Sequence, residues 1–126
     1  MDIVIVLYNE QSFISETHQM KIIDKAAWQI DSGVPSKEVV NHFYTVFSWL
    51  LEHDMLTEEG REEYDDGIDD CASLNDELVN TRGMAFLDKC YDDLLKKSAK
   101  GIYGSDAESR ILDTVYAEYL ISENND

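Results

Sequence analysis

The chain has 126 residues, 44% of them hydrophobic and 10% aromatic, so it can bury roughly 65 to 70% of its unfolded surface and build a core without staples. Its 27 acids against 10 bases give a formal charge of -17, the sign carried by nucleic acid and by anionic lipid, which argues against both as partners. Basic proteins, cations or simple solubility remain. Cys71 and Cys90 are too few for a metal cluster and read as reduced, partly buried thiols within helices, the usage expected of a cytoplasmic chain.

Residues Ile3 to Leu7 form an apolar run without a basic leader or a small-residue cleavage site, so no signal peptide is expected. Residues 1–9 read as an extension packed on the helices, with a short strand over 3–7 as an option that would also suit self-pairing in a homodimer. No apolar stretch reaches the roughly 18 residues a membrane span needs. Ser15 is a candidate cap for a helix to about Ser32, with Met20, Ile23, Ala27 and Ile30 on one stripe and Trp28 on its flank, set to pack on the helix that follows. Gly33 supplies the stop.

The strongest periodicity runs from Ser36 to Asp54, where Val39, Phe43, Val46, Phe47 and Leu50 share one stripe, Val40, Tyr44 and Leu51 broaden it, and Trp49 lies beside it. A helix so apolar is expected to be buried on several sides. Pro35 closes the preceding segment, Ser36 is read as the cap, and Glu38 suits the first turn. Between Glu52 and Asp70 the composition inverts, with ten carboxylates against one base, Arg61. Thr57 is expected to cap a helix from Glu58 to about Asp66, in which Glu58, Glu59, Glu62 and Glu63 repel at helical spacing and Asp65 and Asp66 crowd the negative end. Gly67 ends it, and Ile68 to Val79 reads as another short helix with Ile68, Cys71, Ala72, Leu78 and Val79 inward.

A long helix is predicted from Asn80 or Thr81 to about Lys100, carrying Phe86, Leu87, Cys90, Tyr91, Leu94 and Leu95, with Lys96, Lys97 and Lys100 in the favourable last turn. Ser105-Asp106-Ala107-Glu108 has the form of a capping box opening a helix to about Ser122, with Ile111, Leu112, Val115, Tyr116, Tyr119 and Leu120 inward. Residues 123–126 are expected to fray. An internal echo links Leu56-Thr57-Glu58-Glu59-Gly60 to Val79-Asn80-Thr81-Arg82-Gly83, a shared way of starting a helix that is too short for a repeat protein. The expected fold is all-α, a compact single-domain bundle of five to six helices.

A calcium loop centred on Gly67 would place Glu62, Tyr64 and Ser73 at its first, third and twelfth positions, which fails the ligand pattern. His53-Asp54 matches the dipeptide of HD-type metal-dependent phosphohydrolases, for which His18 or His42 and Asp113 stand in suitable order. That enzyme is the alternative reading; the ordinary one is the polar end of a helix. With no phosphate loop and no nucleophile–base pair, no catalytic residue, metal site or cofactor is assigned.

The acidic stretch is the candidate site. Glu58, Glu59, Glu62, Glu63, Asp65, Asp66, Asp69 and Asp70 would steer a basic protein and pair with its Lys and Arg, and Tyr64 among them, with Tyr44 and Trp49 nearby, would anchor the contact. In general character, and in the stretches Leu50–Gly60 and Gly83–Leu95, the chain resembles the small acidic helical immunity proteins of bacterial toxin systems. The resemblance implies a cytoplasmic inhibitor, monomer or homodimer, that occludes a cognate toxin, a nuclease being one such target. Phage proteins that mimic nucleic acid with carboxylates are similar in composition and form a second alternative.

Overall fold

The computed structural model describes residues 19–98 and 101–124; the expected extension at 1–9 with its optional strand, Ser15, Lys100 and residues 125–126 lie outside them. Among the described residues the order is β1 (Ile22–Lys25), α1 (Ala26–Asp31), α2 (Ser36–Glu52), α3 (Glu58–Asp66), β2 (Ser73–Asn75), α4 (Thr81–Ser98) and α5 (Asp106–Asn124). Five helices carry most of the chain, and β1 and β2 form a two-stranded antiparallel sheet.

That sheet corrects the all-α expectation at two places. Among the described residues the predicted helix to Ser32 is helical only from Ala26, because Ile22–Lys25 runs extended beside Ser73–Asn75, with Lys25 opposite Ser73 and Asp24 opposite Leu74. Adjacent β-branched Ile22 and Ile23 suit a strand, and long-range ties from Asp24 to Tyr91 and from the Ala26 amide to the Ala72 carbonyl outweigh the helical stripe. In consequence Ala27 faces out, Met20 is exposed, and Trp28 stands half in solvent with Lys25 Nζ 5.8 Å above its ring instead of packing inward.

The predicted helix Ile68–Val79 is likewise absent, for a local reason. Asp69 Oδ1 accepts from the Cys71 amide at 2.9 Å, and Asn75 Oδ1 accepts from the Glu77 and Leu78 amides at 2.9 and 3.2 Å. These side chains offer the backbone turns in place of a helix. Cys71, expected inside a helix, therefore lies exposed in a turn.

The core forms around α2, whose Val39, Phe43, Val46, Phe47 and Leu50 are all but fully buried among Leu74, Phe86, Leu87, Leu94, Leu112 and Val115. Burial is not all round, however: Tyr44 and Leu51 are exposed, so one face of α2 is open. Pro35, not Ser36, occupies the cap position, and no side chain caps the helix. Thr57 does cap α3, accepting from the Gly60 amide at 3.0 Å. Leu120 and Ile121 are exposed on α5, against the expectation for Leu120. Helix α5 continues to Asn124, and Glu123 holds Lys89 at 2.8 Å.

The sequence echo at Leu56 and Val79 has a spatial counterpart, since the two residues form an isolated antiparallel bridge. The Thr57 amide donates to the Leu78 carbonyl and the Asn80 amide to the Met55 carbonyl. Asn80 Oδ1 caps α4 by accepting from Gly83 N at 2.9 Å, as Thr57 caps α3. Each glycine lets its helix start press on the other segment: a Cβ on Gly60 would stand 2.0 Å from the Leu78 carbonyl oxygen, and one on Gly83 3.0 Å from Met55 Cβ as well as 2.6 Å from Val79 Cγ1 of its own segment. The early glycines are thus a requirement of the crossing, which fixes where α3 leaves the core.

Candidate functional site

Helix α3 carries its acids on a short segment with no base in its last turn. Glu58, Glu59, Glu62, Glu63, Asp65 and Asp66 are exposed, and so are Asp69 and Asp70 beyond Gly67. Among the described residues the ion pairs join Lys21 to Asp88, His42 to Glu108, His53 to Asp113, Lys89 to Glu123 and Lys97 to Asp93, so none neutralises an α3 carboxylate. Arg61, the one base in the stretch, turns back to the Leu56 carbonyl at 3.2 Å.

Tyr64 joins this helix to the open face of α2. Its ring stacks on Tyr44 at 5.5 Å between centroids and 26° between planes. Ser48 Oγ lies 2.6 Å from the Tyr64 hydroxyl, which donates onward to the Tyr44 hydroxyl at 3.2 Å. Ser48 acts to lower the Tyr64 phenol's pKa, but the Tyr44 hydroxyl, burial and the Glu52 carboxylate outweigh it and hold the group above its ordinary value. Tyr44 therefore lies close to Tyr64, and their stacking is a feature the sequence did not show, whereas Trp49, also expected nearby, is not part of this face. Trp49 is buried, donates from Nε1 to Asp113 Oδ1 at 2.8 Å and stacks on His53 at 3.9 Å.

A second polar constellation is internal and was not foreseen. Asp24 Oδ2 accepts from Gln29 Nε2 and from the Tyr91 hydroxyl, both at 2.6 Å; the same hydroxyl lies 2.9 Å from His42 Nε2, and His42 Nδ1 lies 2.6 Å from Glu108 Oε2. All five residues are buried. Glu108 was read as the far member of a capping box, yet its Oε1 takes the Gly104 amide at 2.8 Å, and the Glu108 amide reaches Ser105 Oγ only at 3.4 Å. The signal for His42 was present, since it sits three residues after Val39 and four before Val46, on the buried stripe. Tyr103 stacks on its imidazole at 4.2 Å. Sealed from solvent, this network ties β1, α2, α4 and the start of α5 together.

Of the residues considered for a metal-dependent phosphohydrolase, His53 Nε2 and Asp113 Oδ1 come within 4.0 Å, while His42 is turned to Glu108 and Tyr91 and His18 lies outside the described residues. The Asp54 carbonyl accepts from Asn80 Nδ2 and Arg82, which places Asp54 in the α2–α3 corner at φ 57°. The one gathering of three or more metal-type donors among the described residues is Asp69, Asp70 and Cys71, all exposed. No helix of the described residues is long and apolar enough to cross a membrane. Comparison with family models, with curated proteins and with solved structures gave no match.

Proposed function

We propose that this protein binds and inhibits a basic protein through the face built from α3 and the open side of α2, most concretely as an immunity protein that occludes a cognate bacterial toxin in the cytoplasm. The observation that supports the reading most is the placement of the stacked Tyr44–Tyr64 pair beside unpaired, exposed carboxylates. Like charges at helical spacing weaken α3 itself, and acids at its C-terminal end oppose the helix dipole. A surface that accepts those costs gains if a cationic partner meets it, because complementary charge speeds encounter and aromatic anchors hold the complex once formed. Mechanistically the carboxylates Glu58, Glu59, Glu62, Glu63, Asp65, Asp66, Asp69 and Asp70 supply the field, and Tyr64 with Tyr44 supplies the contact that excludes water.

The test is the rate of association with the toxin encoded by the neighbouring gene, measured by stopped flow for the wild type and for the combined Glu59→Lys, Glu62→Lys and Asp66→Lys variant. Steering of this kind is worth at least about ten-fold in the association rate, so the variant should bind that much more slowly with its melting temperature little changed. Equal rates contradict the proposal. A neighbouring gene that encodes no basic toxin removes the immunity role.

A further inference from the structure

Tyr44 is 53% exposed, although helical spacing assigns it to the broad apolar stripe of α2. One side of its ring is covered by Tyr64, and the pair is held from below by the Ser48 hydroxyl. The Tyr64 hydroxyl proton is spent on Tyr44, so Tyr64 has none to offer a ligand. What the pair presents outward is a flat aromatic face, already fixed in place. Glu52 lies one turn beyond Ser48 on the same side of α2, near enough for its charge to act on Tyr64, and Glu63 and Asp65 adjoin Tyr64 along α3. Leu51, also exposed, adjoins this side and extends it with apolar surface.

This combination suits one cation better than the other. A lysine ammonium is a compact, strongly hydrated charge that keeps its water beside an exposed ring. Arginine's guanidinium is planar and weakly hydrated, stacks on an aromatic face, and still has N–H groups in its own plane to donate to a carboxylate. A bare acidic helix would draw either. An open tyrosine face beside a carboxylate prefers the planar group.

Resting on the binding function proposed above, we propose that the Tyr44–Tyr64 pair is the seat of an arginine side chain of the partner protein, its guanidinium lying flat on the open face of Tyr44 with its in-plane N–H groups turned to the acids of this face. The α3 acids draw the partner in, and this seat sets which cation is held. Pre-organisation is part of the function, since a ring already clamped by its neighbour loses little freedom when the guanidinium settles on it.

The test uses hexa-arginine and hexa-lysine peptides as probes, titrated calorimetrically at low salt into the wild type, Tyr44→Ala, Tyr44→Phe and the Glu59→Lys, Glu62→Lys, Asp66→Lys variant. Tyr44→Ala should weaken the arginine peptide by about two- to five-fold, the worth of one exposed cation–π contact, and the lysine peptide by less. Tyr44→Phe should keep the wild-type preference, and NMR should show the arginine side-chain methylenes moved upfield by the ring of the wild type but not of Tyr44→Ala. An unchanged arginine-to-lysine ratio in Tyr44→Ala, or no upfield movement, overturns the seat. If the triple reversal abolishes binding of both peptides while that ratio stays unchanged, the acidic face stands and the seat alone falls. Binding of neither peptide to the wild type overturns both.

Discussion

His42 of α2 and Glu108 at the start of α5 meet at 2.6 Å with both side chains fully buried. The contacts Asp24–Tyr91, Tyr91–His42 and His42–Glu108 are three hydrogen bonds, and filling them takes three protons. In either arrangement with Asp24 ionised, an imidazolium beside a Glu108 carboxylate or a neutral imidazole beside a Glu108 carboxyl, the chain carries a single negative charge. The Gln29 side-chain amide and the Lys25 backbone amide also donate to Asp24, at 2.6 and 2.8 Å. Removing Glu108 leaves a buried imidazole without its partner, so Glu108→Ala should cost about 3–5 kcal/mol. Glu108→Gln, which keeps an acceptor for Gly104 and a donor for His42, should cost about 1 kcal/mol. Urea denaturation of both variants measures the difference, and equal losses contradict this role.

Alkaline pH acts on the same network. Burial first, then the Asp24 charge and its hydrogen bond, hold the Tyr91 phenol well above its ordinary value, and burial followed by the Glu108 charge raises Tyr103 to about 12. An unfolded tyrosine ionises near pH 10, so above that pH the folded chain retains protons that the unfolded chain has lost. Stability is therefore complete below about pH 10 and falls as pH rises towards the folded values, with a limiting slope of about 1.4 kcal/mol per pH unit for each fully protected phenol. Urea midpoints between neutral and strongly alkaline pH should show this decline. Tyr91→Phe should be less stable at neutral pH, because Asp24 and His42 each lose a bond, but should decline less steeply.

Helix propensity predicts that glycine to alanine within a helix stabilises by up to about 1 kcal/mol. At the α3–α4 crossing the sign should reverse. Gly60→Ala sets a methyl against the backbone oxygen of Leu78, which cannot move aside cheaply, whereas Gly83→Ala meets the Val79 side chain and Met55. Both variants should melt below the wild type, Gly60→Ala by the larger margin. A stabilised Gly60→Ala would show that the crossing is not tightly packed.

Cys71 is exposed yet should react slowly. The Asp69 and Asp70 carboxylates beside it push its thiol above the ordinary value, while Cys90 is raised chiefly by burial. Alkylation by iodoacetamide at mildly alkaline pH should be slower at Cys71 than in a free cysteine peptide, because the thiolate is the nucleophile. Asp70→Asn should quicken it, and added salt should do so in part. A rate equal to the peptide's contradicts the local field.

Helix α2, the Thr57 cap, the Gly67 stop and the Lys96–Lys97 end of α4 were legible because each is a local signal: periodicity, a capping hydroxyl, a positive-φ glycine, charge on a dipole. The two strands were not, since Ile22–Lys25 and Ser73–Asn75 are short and are decided by each other, a pairing no local window contains. Within the candidate site the acids and Tyr64 could be named from the sequence. The stacking of Tyr64 on Tyr44 and its tether to Ser48 depend on how α3 folds back along α2, which the crossing at Leu56 and Val79 sets. Tyr91 reads as a core residue and Glu108 as part of a capping box, Asp24 carries no local signal, and they become a network only where four parts of the chain meet.

The most direct measurement of the central claim is a residue-by-residue NMR map of the isotope-labelled protein titrated with hexa-arginine. Negative charge is spread over the whole chain, including Asp88, Asp92 and Asp93 on α4 and Glu118 on α5. The account predicts perturbations concentrated on Tyr44, Ser48, Glu52 and residues 58–70. Shifts of equal size around the acids of α4 and α5 would contradict it.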